Sequence, residues 1–447
     1  MEIKRKIYSQ LLDWKERDNG ESALLIEGAR RVGKSYIAEK FARQEYTSYI
    51  LIDFSKSPEN IRQLFETESE DLDSLFQILQ AHYRVKLIKR ESCIIFDEVQ
   101  FCPKARQMIK SLVADRRYDY IETGSLISLR QNISDILIPS EEESIRMYPL
   151  DFEEFLWAMG DEATYPLIMD HFNNKTPMGQ ALHQSTMKAF RQYVLVGGMP
   201  QVAAEYAKEH DFESADRIKK RILRLYREDI SKFAKGYESK VFAIFDDIPG
   251  QLSKKEKKYK LASLSKSARM REYEDAFVWL DEAMVVNPCF NATDPTVGLK
   301  LSEEYTTQKI YMADTGLLVT LTFGDSDYMD NDLYRDILLD KLNVNEGMLM
   351  ENVVSQMLRF SGHKLFFYSR NDSSGHANRI EIDFLIRKGR KICPIEVKSS
   401  SYRKHTSLDK FTSRFGNRLG ERLILYRKDV MIKDGVIHLP LYMAGLL

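Results

Sequence analysis

One short stretch decides the fold of this chain: Gly28-Ala29-Arg30-Arg31-Val32-Gly33-Lys34-Ser35. It follows the apolar run Ala23–Glu27 and precedes an amphipathic segment, which places it between a strand and a helix. Its glycines let backbone N–H groups converge on phosphate oxygens, and the helix start adds partial positive charge. The spacing is that of a phosphate-binding loop, with Lys34 reaching the β- and γ-phosphates and the Ser35 hydroxyl on Mg²⁺. We extend the predicted contact set to Tyr36; the alternative is an ordinary strand-to-helix turn.

Two later strand ends support a nucleotide site. The run Cys93-Ile94-Ile95-Phe96-Asp97-Glu98 predicts a buried strand that ends in two acids. Asp97 would hold Mg²⁺ through water, and Glu98 would orient or deprotonate an attacking water. The next strand, Tyr120-Ile121-Glu122-Thr123-Gly124-Ser125, ends in polar residues. Thr123 or Ser125 would sense the γ-phosphate, although a plain turn explains these residues equally well.

The pattern of the chain changes twice and predicts three domains. Up to about Trp157, short apolar runs alternate with helix-like segments such as 35–45 and 71–89, which indicates a parallel sheet covered on both faces. From about 160 to 233 the pattern is helical, broken once at Gly197-Gly198-Met199-Pro200. Mixed helix and strand returns from about Leu299. The predicted domains are 1–158, 159–298 and 299–447, all in an α/β protein.

Composition excludes several classes of protein. The chain has 447 residues, 66 Lys and Arg against 67 Asp and Glu, and 43% hydrophobic residues, so a disordered chain and a globally basic nucleic-acid coat are excluded. It has no apolar run of about 18 residues and no signal-peptide core at its start, which predicts a cytoplasmic protein that does not enter a membrane. The four cysteines form no CxxC pair, and the histidines form no zinc motif.

A predicted hairpin near the C-terminus gathers charged side chains. Two alternating runs, 381–386 and 392–398, flank a turn at Lys388-Gly389. With that turn, Glu381 lies opposite Glu396. Alternation then assigns one face to Glu381, Asp383, Glu396 and Lys398, and the other to Ile382, Phe384, Ile395 and Val397. Opposed carboxylates repel, and either a divalent cation or, in part, Lys398 would relieve the repulsion.

The ordered nucleotide motifs resemble those of AAA-type ATPases. The closer resemblance is to a prokaryotic group with an N-terminal AAA-like ATPase and a C-terminal nuclease-like domain of uncharacterised function. Arg31 departs from that group, which usually has Gln there. The resemblance implies ATP binding and hydrolysis with Mg²⁺. Further segments shared with the group are Met147-Tyr148-Pro149-Leu150-Asp151-Phe152-Glu153-Glu154-Phe155, the Gly-Gly-Met-Pro break and Lys309-Ile310-Tyr311-Met312-Ala313-Asp314-Thr315-Gly316-Leu317.

The hairpin resembles that of restriction-endonuclease-like nucleases, which carry an acid, then Asp, then Glu-x-Lys. The order of helix, strands, helix and strand in 345–426 fits that family. By this resemblance Asp383 and Glu396 bind Mg²⁺, Glu351 supports the metal, and Lys398 helps to activate water. The alternative is a solvated sheet face that carries an ion pair.

Basic segments are the remaining signal for a partner. Residues 254–271 interleave Lys and Arg with apolar residues, within a possible winged helix over about 239–291. The last domain has a second basic stretch over 403–422, and 216–226 predicts a basic helix. A solvated charged face explains such runs equally well. Arg130 and Arg146 are candidates for an arginine finger, with surface arginines as the alternative, so the oligomeric state stays open.

These observations favour an ATPase coupled to nucleic acid, with DNA preferred over RNA, whose last domain binds the nucleic acid and is a candidate for its metal-dependent cleavage. A second interpretation is a nucleotide-gated regulatory or interaction protein with a catalytically silent last domain. A small-molecule kinase is the weakest interpretation, because Glu98 beside Asp97 suits the activation of water and the chain is far larger than a kinase needs.

Overall fold

The computed structural model of the chain describes residues 3–124, 140–254, 258–324, 331, 334, 346–370, 380–398 and 405–447. The chain divides into two compact units, one of residues 5–148 and one of residues 149–447 with the first residues of the chain. None of the described helices combines the length and the apolar character needed to cross a membrane.

The first unit alternates strands and helices along its described residues. Its elements are α1 (Ile7–Asp18), β1 (Ala23–Glu27), α2 (Lys34–Glu45), β2 (Ser48–Asp53), α3 (Glu59–Thr67), α4 (Leu72–Tyr83), β3 (Ser92–Asp97), α5 (Pro103–Gln107), α6 (Ile109–Asp115), β4 (Asp119–Gly124) and β5 (Glu142–Arg146). The helix predicted over 71–89 ends at Tyr83, because Arg84 adopts a left-handed conformation with a φ of 54°.

The predicted parallel sheet is confirmed, and its five strands lie in the order β2-β3-β4-β1-β5. Helix α2 contacts β2, β3 and β4. A separate apolar core joins the sheet to α3–α6 through residues such as Phe65 and Leu112. Since the strands are parallel, the carboxyl ends of β1, β3 and β4 share one edge of the sheet. The phosphate-binding loop, Asp97 and Thr123 all lie at that edge.

The second unit begins with helices and ends with a mixed sheet. Its described elements are α7 (Phe152–Ala158), α8 (Thr164–Asn174), α9 (Gln180–Val196), α10 (Pro200–Glu209), α11 (Phe212–Phe233), α12 (Glu238–Ser253), α13 (Met270–Glu282), β6 (Val286–Ala292), β7 (Glu303–Met312), α14 (Thr315–Phe323), α15 (Glu346–Phe360), β8 (Leu365–Arg370), β9 (Ile380–Lys388), β10 (Lys391–Val397), α16 (Thr406–Phe415), β11 (Arg422–Tyr426), β12 (Met431–Lys433) and β13 (Val436–Pro440).

The predicted helix break lies between α9 and α10. Gly198 N donates to Asp314 Oδ2 at 2.6 Å, and a Cβ on Gly198 would lie 2.2 Å from the carbonyl oxygen of Leu150. This close approach of three chain segments explains the glycine.

Among the described residues of this unit, eight strands form a sheet in the order β12-β13-β11-β10-β9-β8-β6-β7. The range predicted as a winged helix contains α12, α13 and β6. Strand β6 pairs antiparallel with β7 and parallel with β8, so it belongs to the large sheet although it precedes residue 298. The order α15, β8, β9, β10, α16 and β11 follows the predicted order of elements.

The predicted register of the hairpin is wrong by two residues. Lys391 pairs with Lys388 and Ile395 with Phe384, so the loop is Gly389-Arg390, and the same register continued puts Asp383 opposite Glu396. Gly389 has a φ of 58°, which permits this tight turn. Glu381 is therefore not the partner of Glu396.

A bulge in β9 also overturns part of the predicted alternation. Between two successive pairings with β8, Phe366–Leu385 and Tyr368–Ile382, β9 contains one residue more than β8. Ile382 and Leu385 consequently join the same apolar core, whereas the Phe384 ring lies 5.6 Å from the ring of Tyr311. The expectation that Ile382 and Phe384 share a face fails, because an extra residue interrupts the two-residue period.

Candidate functional site

The loop between β1 and α2 has the backbone shape of an anion cradle. Arg31 and Gly33 have positive φ angles of 73° and 98°, and turns of this kind form concavities lined by N–H groups. Gly28 lies against the chain that leaves β5, where an added Cβ would be 2.5 Å from the carbonyl oxygen of Met147. The first glycine of the motif is therefore required by close packing.

The side chains of the loop separate into buried and exposed ones. Lys34 is buried, and its Nζ donates to the carbonyl oxygens of Gly28 at 2.9 Å and Ala29 at 3.1 Å. Val32 is also buried, whereas Arg30, Arg31 and Tyr36 are exposed. The Lys34 ammonium thus lies on the loop itself, within reach of any phosphate held there.

Asp97 connects the loop to the neighbouring strand ends. Its carboxylate accepts hydrogen bonds from the hydroxyls of Ser35 and Thr123. Burial raises the pKa of the Asp97 carboxyl above its ordinary value, although these two hydrogen bonds oppose the shift. Three predicted site residues from three different segments therefore meet at one point of the sheet edge.

Glu98 is held beside this point in a strained backbone conformation. Its φ of 53° is in the left-handed region, which is costly for a residue with a side chain, and its N–H donates to Thr123 Oγ1 at 3.2 Å. Gln100 Nε2 donates to the Glu98 carboxylate. Gln100 was not predicted, because glutamine in a loop carries no recognisable motif.

Arg5 is a second residue that sequence reasoning missed. Its guanidinium is buried and donates from Nη1 to the carbonyl oxygen of Val32 at 3.0 Å and from Nη2 to that of Tyr148 at 2.6 Å. Arg5 therefore ties the phosphate-binding loop to the segment after β5. Its contacts are far away in sequence, so no local pattern could indicate this role.

Magnesium fits the residues at this edge. Ser35 offers a hydroxyl oxygen and Asp97 a carboxylate, which are the oxygen donors that Mg²⁺ prefers, and the two are in contact. Of the candidate arginine fingers, Arg146 lies 3.7 Å from Glu27 and is half exposed. Arg130 and Ser125 lie outside the described residues.

Two acidic side chains lie close together in the sheet of the first unit. The carboxyl groups of Glu122 of β4 and Glu142 of β5 interact electrostatically, and Arg106 Nη2 donates to Glu142 Oε1 at 3.0 Å. Burial and the contact with Glu142 raise the pKa of Glu122 well above its ordinary value. The folded state therefore favours the protonated form of Glu122 more than the unfolded state does.

In the second unit, the predicted acids meet a lysine that was not predicted to act there. Lys309 of β7 is buried, and its Nζ lies 3.7 Å from Glu351 Oε2 and 3.8 Å from Glu381 Oε1. The ring of Phe367 lies 5.4 Å from the same nitrogen. Tyr311 adds a hydrogen bond from its hydroxyl to Glu351 Oε2 at 3.1 Å.

The other predicted residues form a second ion pair beside the first. Lys398 Nζ lies 2.7 Å from Glu396 Oε2. Asp383 accepts a hydrogen bond from Val397 N at 2.8 Å, and its charge acts on both Lys398 and Lys309. Lys309, Lys398 and the four acids Glu351, Glu381, Asp383 and Glu396 are together called the acid–lysine cluster below.

The charges of this cluster depend on one another. Burial alone would lower the pKa of Lys309, but Glu351, Asp383 and Glu381 raise it above its ordinary value. Burial raises the pKa of the Glu351 carboxyl, and the Lys309 charge opposes that shift. Within the described ranges, no three His, Cys, Asp or Glu side chains converge as the ligands of a metal ion would.

Three family models match parts of the chain. Residues 20–156 match an AAA domain, in keeping with the P-loop NTPase fold of the first unit. Residues 187–363 match a domain of unknown function (DUF8612), and residues 346–442 match another (DUF4143). The C-terminal likeness to restriction-endonuclease-like nucleases stays a prediction.

The chain also shares similarity with individual proteins. An uncharacterised protein of Haemophilus influenzae is 26% identical over 209 residues, which cover 45% of this chain and 44% of that protein. A Walker-type ATPase of Pyrococcus abyssi is 16% identical, with a TM-score of 0.43, over 72% of this chain and 96% of its own. The ORC1 protein of Aeropyrum pernix, solved in complex with DNA, is 12% identical, with a TM-score of 0.28, over 73% of this chain and 93% of its own.

Proposed function

We propose that this chain binds and hydrolyses ATP and couples hydrolysis to a nucleic acid, with DNA favoured. The observation that carries the proposal is the meeting of Ser35, Asp97 and Thr123 beside the phosphate cradle. The match of residues 20–156 to an AAA domain supports it.

Each residue has a defined role in this proposal. Lys34 would exchange the carbonyl oxygens of Gly28 and Ala29 for the β- and γ-phosphates. Ser35 and Asp97 would hold Mg²⁺, which when bound supplies positive charge to the phosphates.

Glu98 would take the proton of the attacking water, and its strained backbone fixes the position of its carboxylate. The Thr123 hydroxyl, which bridges Asp97 and Glu98 N, would sense the γ-phosphate.

Exposed basic residues support a nucleic-acid partner in the second unit. On α11, Arg217, Arg221 and Arg224 are exposed along one side of the helix. Lys219 does not belong to this surface, because it is buried and donates to the carbonyl oxygen of Leu195 at 2.9 Å. A longer exposed basic segment follows α12: Lys254, Lys258, Lys260, Lys266, Arg269 and Arg271. Such residues bind phosphates without reading the base sequence.

Phosphate release with and without DNA tests this proposal. We expect DNA to stimulate hydrolysis in the wild type and Lys34→Ala to abolish both basal and stimulated release. DNA that changes neither hydrolysis nor binding would contradict the coupling. A folded wild-type protein that takes up no ATP at millimolar concentration would contradict the whole proposal.

A second candidate function is a nucleotide-gated regulatory protein whose C-terminal domain does not cut nucleic acid. The pairing of Glu351 with Lys309 and of Glu396 with Lys398 favours it, because the predicted metal ligands already have cationic partners. Nicking of plasmid DNA with Mg²⁺ or Mn²⁺ separates the candidates. Nicking that vanishes in both Asp383→Ala and Lys398→Ala would support cleavage and contradict the silent domain.

A further inference from the structure

We infer that Lys309 takes the place of a divalent cation in the acid–lysine cluster, so that this site is neutralised by the chain itself. The inference deepens the second candidate function, since it gives the physical reason for a C-terminal domain that does not cut. It concerns the second unit alone and does not depend on ATP hydrolysis.

The position of Lys309 carries the inference. Its strand β7 is the edge strand of the sheet, and β6 and β8 separate it from β9. The side chain nevertheless ends between Glu351 of α15 and Glu381 of β9, at 3.7 and 3.8 Å. A buried ammonium held between carboxylates from a helix and a strand occupies the place where a cation would join the same two elements.

The surroundings of Lys309 fix it in that place. The lysine is 6% exposed, and the ring of Phe367 from the intervening strand β8 lies 5.4 Å from its Nζ. An aromatic ring attracts a cation and excludes water from one side of it. Tyr311, two residues further along β7, donates to the same Glu351 oxygen that faces the lysine. Two side chains of one strand therefore engage one carboxylate.

The remaining predicted metal ligands are engaged as well. Asp383 accepts from Val397 N, and Glu396 pairs with Lys398 at 2.7 Å. At one oxygen of each of the acids Glu351, Asp383 and Glu396, a divalent ion would compete with a protein donor or an ammonium group. The residues present therefore do not fit a metal as they are arranged, because Lys309 supplies the positive charge that the cluster needs.

Removal of this lysine should create a metal site. In Lys309→Met the carboxylates of Glu351 and Glu381 lose the Lys309 charge, and Asp383 loses a neighbouring charge, so the net negative charge of the cluster rises. Manganese is a suitable probe, because it accepts carboxylate ligands and its free form is measured by electron paramagnetic resonance. We expect the full-length variant to bind one more Mn²⁺ than the wild type, at least tenfold more tightly than any wild-type site.

The measurement needs controls for the nucleotide site and for the loss of a lysine. Nucleotide is left out, and each titration is repeated with Asp97→Asn in the same chain. Lys364→Met is the matched control, since Lys364 also pairs with a carboxylate of this sheet, Glu303, at 2.6 Å. It should gain no Mn²⁺ site, and the double variant Lys309→Met, Asp383→Asn should lose the gained site.

Thermal unfolding gives a second readout. The midpoint of Lys309→Met should fall below that of the wild type and rise again with Mn²⁺, while the wild-type midpoint stays unchanged. A folded Lys309→Met that gains no Mn²⁺ site would overturn the inference. If that variant does not fold, the wild type decides: a Mn²⁺ site that is lost in Asp383→Asn overturns the inference, and no such site supports it. ATP hydrolysis in the same preparations reports separately on the first unit.

Discussion

Gly28→Ala is the sharpest test of the phosphate-binding loop, because it adds one methyl group and no charge. The added Cβ would lie 2.5 Å from the carbonyl oxygen of Met147 and 3.0 Å from Val32 Cγ2. The oxygen belongs to the backbone, and its residue donates its own N–H to the carbonyl oxygen of Glu27 at 2.7 Å. Met147 therefore cannot move away from the added carbon without losing this hydrogen bond, so the phosphate-binding loop must move.

The expected cost follows from this overlap. Forcing an extra carbon into a packed site costs about 1–3 kcal/mol. For a unit of this size, that corresponds to a fall in the unfolding midpoint of about 3–10 °C. If the loop moves instead, the N–H groups no longer converge, and a loss of only about 1.4 kcal/mol weakens ATP binding tenfold.

Calorimetry with a non-hydrolysable ATP analogue and thermal unfolding measure the two effects. Gly416→Ala is the matched control, because a Cβ there would have no neighbour within 4 Å. The control should keep the wild-type affinity and midpoint. A Gly28→Ala protein with the affinity and the midpoint of the wild type would refute the assignment of this glycine to a close backbone approach.

Three further substitutions test other parts of the first unit. Glu98→Gln should keep ATP affinity and lower the hydrolysis rate by about 10²–10⁴-fold, measured by phosphate release; unchanged hydrolysis would exclude it as the base. Arg5→Met should raise the KM for ATP and lower the midpoint of thermal unfolding, since it removes two hydrogen bonds worth about 1.5–3 kcal/mol each. The control Arg17→Met removes an exposed guanidinium and should change neither the KM nor the midpoint. Glu122→Gln should stabilise the protein more at pH 8 than at pH 5 in urea unfolding. Folding raises the pKa of Glu122, so the stability that its protonated form contributes is present below pH 4.5 and is lost as the pH rises through the folded pKa. Equal effects of the substitution at both pH values would contradict this.

The meeting of Ser35, Asp97 and Thr123 could be predicted because each of these residues lies in a local sequence pattern. The loop is one uninterrupted motif, and Asp97 and Thr123 each end an apolar strand. Parallel strands bring their carboxyl ends to one edge, so three local patterns were enough to predict a shared site. Arg5 and Gln100 escaped prediction because their roles depend on which distant carbonyl or carboxylate they reach.

The two strands of the C-terminal hairpin were predicted correctly, but their register was not. Its two strands and its Glu-x-Lys run are local, but the register depends on which two residues form the turn, and these are Gly389-Arg390 instead of Lys388-Gly389. A shift of two residues keeps each side chain on its face and changes only its partner. The bulge in β9 arises from pairing with β8, a strand on the other side, and the sequence of the hairpin alone does not contain it.

Lys309 shows why an acidic motif does not by itself define a metal site. The carboxylates of Glu351 and Glu381 need a positive charge nearby. From the sequence of the hairpin, only Lys398 was predicted to supply it. A lysine 42 positions before Glu351 meets them because β7 joins the sheet at its far edge, beyond β6 and β8. The chemistry of the cluster is therefore decided by strand order, and a chain with the same hairpin but an apolar residue at this position of β7 should need a metal where this one uses an ammonium group.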